Sequence, residues 1–392
     1  MNPNSAHIPT RFQLHRLSAV LVLLLLGAFQ GVAEDRTVPS ALVDVFVGGE
    51  GGYPAYRIPS LLATKRRALL AFAEGRASLL DHAENDIVMK RSLDGGRTWS
   101  GLRVIAEDGA NALNNPTAVL DRRTGRVLLM FQRYAKGFDE HKAAPGLDGP
   151  RICRTFIIHS DDEGESWSKP RDITAQVKRP VEATSTASGP GVGIQLERGP
   201  RAGRLVMPFN QGPPGQWKVY VVFSDDGGES WLYGDTAPEG TKGHANEVQC
   251  VELMAGSLML NARNQGGDRL RKVAVSHDAG QTWSATWNDV LLIEPVCQAS
   301  LVRIPTEGNR SPGTLLFSNP ASQSARTNGT IRLSRDEGKT WPVSRVLYSG
   351  SFGYSCLAPL PKGWVACLFE RDGMTRISIS RFHQDWLLRR RL

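Results

Sequence analysis

Apolar residues in this chain come in short alternating runs rather than long stripes. Residues 126–131 (RVLLMF), 219–223 (VYVVF), 272–276 (KVAVS) and 330–334 (TIRLS) are typical, and Gly, Pro, Asn and Asp punctuate them. Such runs bounded by turn formers predict strands. No stretch keeps a 3.6-residue apolar period long enough for more than a short helix. The chain is expected to be nearly all β.

Between the runs an eight-residue pattern, Ser-x-Asp-x-Gly-x-Thr/Ser-Trp, occurs five times, at 92–99, 160–167, 224–231, 276–283 and 334–341. Successive copies start 68, 64, 52 and 58 residues apart. Self-similarity at a period near this length predicts a propeller or solenoid of repeated supersecondary units. Each box follows one predicted strand and precedes another, so it belongs on a hairpin. Its Asp and Ser can bond turn backbone, its Gly allows positive φ, and its Trp can anchor the unit. Five boxed segments plus a box-free one, 350–392, make six units, which favours a six-bladed β-propeller. The last unit is expected to close by borrowing a strand from near 42–47. The box aspartates Asp94, Asp162, Asp226, Asp278 and Asp336 therefore read as scaffold, and chemistry belongs to the residues that do not repeat.

The first 33 residues differ from the rest. Arg11 and Arg16 precede a largely apolar run, 17–29, and Gly31-Val32-Ala33 supplies small residues where a signal peptidase reads. This pattern predicts a secretory signal over 1–33 and one domain over 34–392, secreted or periplasmic. The alternative is a retained N-terminal anchor. With no other apolar run near 18 residues, membrane insertion after cleavage is not expected.

The five cysteines, Cys153, Cys250, Cys297, Cys356 and Cys367, are widely spaced with no C-x-x-C pair. One or two disulfides are compatible with that count, and at least one thiol stays unpaired in a monomer. The formal charge is +8, without a basic run interleaved with aromatics. Nucleic acid is thus not an expected partner. His82, His159, His244 and His277 show no metal-ligand spacing, so neither metal nor cofactor is expected. Asn328-Gly329-Thr330 matches a glycosylation acceptor, but its neighbour Arg326 argues against a glycan there.

Before the first box stands Tyr56-Arg57-Ile58-Pro59. Phe72-Ala73-Glu74-Gly75-Arg76 and then Asp81 follow this tetrapeptide, still ahead of the box. With the repeated Asp boxes, these motifs resemble the sialidases (neuraminidases), in particular the cellular and bacterial branch, glycoside hydrolase family 33. The resemblance covers essentially all of residues 34–392. It implies a substrate carboxylate clamped by three arginines, Arg57, Arg263 and Arg326, with Arg76 as an additional arginine near the mouth. It implies Tyr354 as nucleophile, Glu247 as its partner, Asp81 as acid/base and Glu370 as the glutamate that steadies Arg57. Asn115-Pro116 and Trp217 are candidates to line the sugar pocket. Cys356, two residues beyond Tyr354, departs from the acidic or small residue expected there. It either pairs with Cys367 or leaves a thiol near the site.

These residue types suit the chemistry. Sialic acid carries a carboxylate on its anomeric carbon, and guanidinium forks match carboxylates bidentately. That carboxylate repels an anionic nucleophile, so a neutral phenol is preferable, activated by a glutamate within hydrogen-bond reach. Asp81 needs a raised proton affinity, for which partial burial beside Leu79 and Leu80 is the expected source. Glu252 rivals Glu247, and Asp86 and Glu84 rival Asp81. The implied function is an exo-α-sialidase acting, as a monomer, on sialylated glycoproteins, glycolipids or oligosaccharides. A trans-sialidase, a glycosidase for a related nonulosonic acid, and a propeller that binds sialoglycans without cleaving them are the alternatives.

Overall fold

The computed structural model describes residues 34–305 and 313–389, so the expected signal segment lies outside the described residues. A compact unit begins at Arg36. The strands form four hydrogen-bonded sheets of nine, five, four and seven strands, almost wholly antiparallel. The four apolar runs fall on Val127–Tyr134, Lys218–Ser224, Leu270–Ser276 and Thr327–Ser334. α-Helix is confined, among the described residues, to Thr174–Val177 and Gln384–Leu388.

Several strands are buried on both faces, as Leu69–Arg76 and Leu205–Gln211 are throughout. Sheets covered on both sides read as near-continuous apolar runs, which is why the sequence alternation is imperfect. Repeated units pack through their side chains. Phe72 of Leu69–Arg76, for example, meets the box Trp167 edge-on at 5.7 Å between ring centroids.

Two connections tie the ends together. Val43–Val47 pairs antiparallel with Arg376–His383, as the predicted closing strand should. The 17-residue strand Val343–Pro359 bonds Thr327–Ser334 with its first half and Trp364–Arg371 with its second. What the repeat count divides into two units is therefore one continuous ladder.

The boxes are hairpin turns with one recurring bond set. In the first, Ser92 Oγ donates to Asp94 Oδ1 and accepts from Gly96 N, both at 2.8 Å. Asp94 also accepts from Thr98 N at 2.9 Å and Thr98 Oγ1 at 2.6 Å. The other four copies repeat this. The box glycine has φ between 81° and 94° in all five, and it sits against a strand of a neighbouring unit. A Cβ at Gly164 would lie 2.9 Å from Leu70, and one at Gly228 would lie 2.4 Å from Leu128. At Gly96 the neighbour is Ile379, near the other end of the chain. Each box is thus both a turn and a weld to a neighbouring unit.

Candidate active site

Four strands carry one extra residue against the partner strand, between Arg57 and Ser60, Asn114 and Thr117, Ala245 and Val248, and Phe352 and Ser355, so that two residues face one. The displaced pairs are Ile58-Pro59, Asn115-Pro116, Asn246-Glu247 and Gly353-Tyr354. Bulges re-aim side chains, and here they deliver the non-repeating residues to one place. Ile58 and Asn115 take positive φ, 61° and 54°. A cavity of about 180 Å³ opens there, lined by Ile58, Asp81, Glu247, Arg263, Tyr354 and Trp217 among others.

Tyr354 is the centre of the cluster. The Arg57 guanidinium lies 5.3 Å and that of Arg326 5.4 Å from its ring centroid. Its hydroxyl donates to Glu247 Oε1 in a short hydrogen bond. Arg263 Nη1 donates to the same hydroxyl at 3.1 Å and to Glu247 Oε2 at 2.8 Å. Burial, then Glu247, pushes the phenol well above its ordinary value, against the pull of Arg263 and Arg326. The group is a neutral phenol with its proton aimed at a carboxylate.

Glu370, fully buried, accepts from Arg57 Nε at 2.7 Å, Ile58 N at 2.9 Å and Tyr354 N at 3.0 Å. Burial alone would raise this carboxyl, but Arg57 and the two N–H donors outweigh it and hold it below the usual range. One buried anion thus fixes an arginine and two bulges. Arg326 makes one long hydrogen bond, to Val296 O at 3.4 Å. Arg263 Nε is buried without a partner. The clamp therefore offers unspent donors to an anion.

Asp81 stands opposite. Arg76 Nη1 donates to its Oδ1 at 2.8 Å and Arg57 Nη1 lies 3.9 Å away. Asn85 and Asn114 donate their side-chain amides to its carbonyl at 2.8 and 2.7 Å. The expectation about its proton affinity is corrected here. Desolvation does raise Asp81, but Arg76 and Arg57 outweigh it and the carboxyl is lowered. Leu79 and Leu80 give no shelter, being 57% and 72% exposed.

The rivals go elsewhere. Glu252 accepts from the backbone of Glu197 and Arg198, Asp86 from Tyr53 at 2.6 Å, and Glu84 pairs with Lys136. Asn115 and Trp217 line the cavity. Sequence reasoning missed His82, weighed only as a metal ligand, which lines the same cavity and lies 3.1 Å from Glu140. It also missed Tyr134, Ser185 and Asn210 on the wall, for which no sequence signal exists. Glu74 stands in the motif that carries the resemblance, and its i, i+2 spacing from Arg76 places both on one strand face.

All five cysteines are free and buried. The disulfide option between Cys356 and Cys367 is not realised: Cys356 Sγ accepts from Leu61 N at 3.3 Å. The thiol that touches the site is instead Cys297, which packs with Ile58 and Tyr354 and is pushed up to about 12 by burial. No group of three or more metal-ligating side chains occurs among the described residues.

A BNR repeat-like domain model matches residues 67–367. A sialidase of Micromonospora viridifaciens is 37% identical over 355 residues, covering 88% of this chain and 54% of the relative. One from Bacteroides fragilis is 32% identical, covering 86% and 64%. The chain thus spans roughly half to two thirds of these relatives' lengths. The solved Hadza microbial sialidase Hz136 superposes with a TM-score of 0.80 at 31% identity, covering 88% of this chain and 69% of that one.

Proposed function

The chain belongs to the sialidase superfamily, and on that premise we propose that it is an exo-α-sialidase releasing terminal α-linked sialic acids with retention of configuration. The observation that carries the reading is Tyr354, a neutral phenol bonded to Glu247 and ringed by Arg57, Arg263 and Arg326.

In this reading the three guanidinium groups take the substrate carboxylate. Tyr354 Oη bonds to the anomeric carbon as the glycosidic C–O bond breaks, and its proton passes to Glu247. Arg263 Nη1, already 3.1 Å from that oxygen, stabilises the developing phenolate. Asp81 protonates the leaving oxygen. In the second half a water replaces the tyrosine at the same carbon, giving its proton to Asp81 while Glu247 returns the phenol's. Two displacements at one carbon restore the starting configuration. Asp81 is ionised in the free site. A substrate carboxylate on Arg57, 3.9 Å away, cancels part of the field that keeps it so. Substrate binding thus supplies the shift that Leu79 and Leu80 do not.

The same reading makes 34–392 one six-bladed propeller, with 1–33 as signal peptide and the enzyme monomeric, secreted or periplasmic. A cavity of about 240 Å³ lined by six chain segments, around Leu61, Leu120, Val192, Cys250, Leu301 and Leu357, supports six blades about a common axis. Its partners are sialylated glycoproteins, glycolipids or oligosaccharides. The test is hydrolysis of a fluorogenic α-sialoside by residues 34–392. Turnover no faster than that of Tyr354→Phe, from mildly acidic to mildly basic pH, would refute the reading. A transferred rather than released sialic acid, read by product analysis with lactose present, would redirect it to trans-sialidase.

A further inference from the structure

Resting on the sialidase reading, we propose that Glu74 is a positioning residue for Asp81: acting through Arg76, it holds the acid/base carboxylate in place and sets how readily that carboxylate takes a proton.

Glu74 and Arg76 lie two residues apart on the strand Leu69–Arg76, 0% and 1% exposed. Arg76 gives Nε to Glu74 Oε2 at 2.7 Å and Nη2 to the same oxygen at 2.5 Å. Its remaining nitrogen, Nη1, reaches Asp81 Oδ1 at 2.8 Å and the carbonyls of Leu79 and Leu80 at 3.4 Å. One planar guanidinium thus joins a buried carboxylate to the loop that presents Asp81. Glu74 Oε1 accepts from Asn115 N at 2.7 Å, so it also pins the bulge that faces Asp81 from the next strand pair.

The chain repeats the device. Glu370 holds Arg57 and the N–H of Ile58 just as Glu74 holds Arg76 and the N–H of Asn115. Ile58 and Asn115 are both positive-φ residues before a proline. By this internal comparison Glu74 stands to Arg76 as Glu370 stands to the first clamp arginine.

The electrostatics follow from the groups that face Asp81: Arg76 at 2.8 Å, Arg57 at 3.9 Å, and the His82 ring beside it, itself 3.1 Å from Glu140. Burial raises the Glu74 carboxyl and Asp81 adds to that, while Arg76 and the Asn115 N–H pull it down. A buried guanidinium without Glu74 would face Asp81 as an uncancelled positive charge. With Glu74 it forms a near-neutral pair, and Asp81 keeps enough proton affinity to act as an acid.

Glu74→Gln keeps the shape and removes the charge, so Asp81 should give up its proton more easily. The basic limb of the kcat/KM profile should move to lower pH. The loss should be about tenfold greater for a sialyl galactoside, whose leaving oxygen needs protonation, than for an aryl sialoside, which hardly does. The double variant Glu74→Gln/Arg76→Gln leaves no buried charge unpaired and should move the limb to higher pH. A readout free of turnover is the titration midpoint of the Asp81 carboxyl followed by carbon-13 NMR, lowered in the single variant and raised in the double. Equal losses on both substrates with unmoved midpoints would overturn the proposal. Absence of turnover in the unaltered protein, with the midpoints moving as stated, would instead count against the sialidase reading and leave the relay standing.

Discussion

Tyr354 and Glu247 lie 107 residues apart in the chain and share one hydrogen bond, phenol to carboxylate. Each sits on the second position of a two-residue bulge. The pair exists because two strands slip register at the same depth, and Arg263 bridges both partners.

Removing the phenolic oxygen tests the pair directly. Tyr354→Phe should lower kcat by on the order of 10³-fold or more, with the circular-dichroism spectrum unchanged. Inactivation by a fluorosialic acid should label Tyr354, and mass spectrometry finding the label on another residue would overturn the assignment.

Scaffold and site should separate by mutation. Arg326 has one long bond to the protein, so Arg326→Ala should cost about 2–4 kcal/mol in kcat/KM with little change in Tm. Asp278 accepts from Ser276, Gln281 and Thr282. Asp278→Ala should cost about 1–3 kcal/mol of stability and leave kcat near its original value. Observing the reverse pattern would mean that scaffold and site have been confused.

The boxes also carry a pH signature. The carboxyls of Asp94, Asp162 and Asp226 lie at about 2. Slight desolvation raises them, but the Thr98, Ser166 and Ser230 donors outweigh it. Folded values below the unfolded value of about 3.9 mean that this stability is fully present above pH ~4–5. It is lost as pH falls from there toward about 2. Because these groups are largely exposed, each contributes only a fraction of what its shift alone implies. Melting scans from pH 6 to pH 3 should show Tm falling, and Asp94→Asn should flatten that slope. A slope identical in the variant would rule the box carboxylates out as its source.

The thiols give a fourth check. With all five cysteines free and buried, a reductant should leave Tm unchanged, and a bulky maleimide should label none until the protein unfolds. A Tm drop on reduction would reveal a disulfide.

What the sequence showed in advance depended on where each signal lies. Box turns are local, so their serine, aspartate and glycine roles could be read from eight residues at a time. Arg57 and Tyr354 were legible because short motifs surround them. An odd spacing of five separates Glu247 from Glu252 by placing them on opposite faces of a regular strand, and the bulge between Ala245 and Val248 takes in Glu247 itself. The misreading of Asp81 has the opposite origin. Chain neighbours Leu79 and Leu80 stood in for its environment, whereas Arg57, 24 positions away, and the folded-back Arg76 set its charge. His82, Tyr134 and Ser185 come from separate segments, and nothing in one segment announces the others.

The strand Val343–Pro359 has a mechanical corollary. Arg326 meets it at the Phe352 N–H, and Glu370 grips it two residues further on at Tyr354 N. The nucleophile and both flanking groups ride on a single beam. A disturbance at either end is passed to all three together, so the carboxylate clamp and the tyrosine should fail as one unit on heating rather than piece by piece.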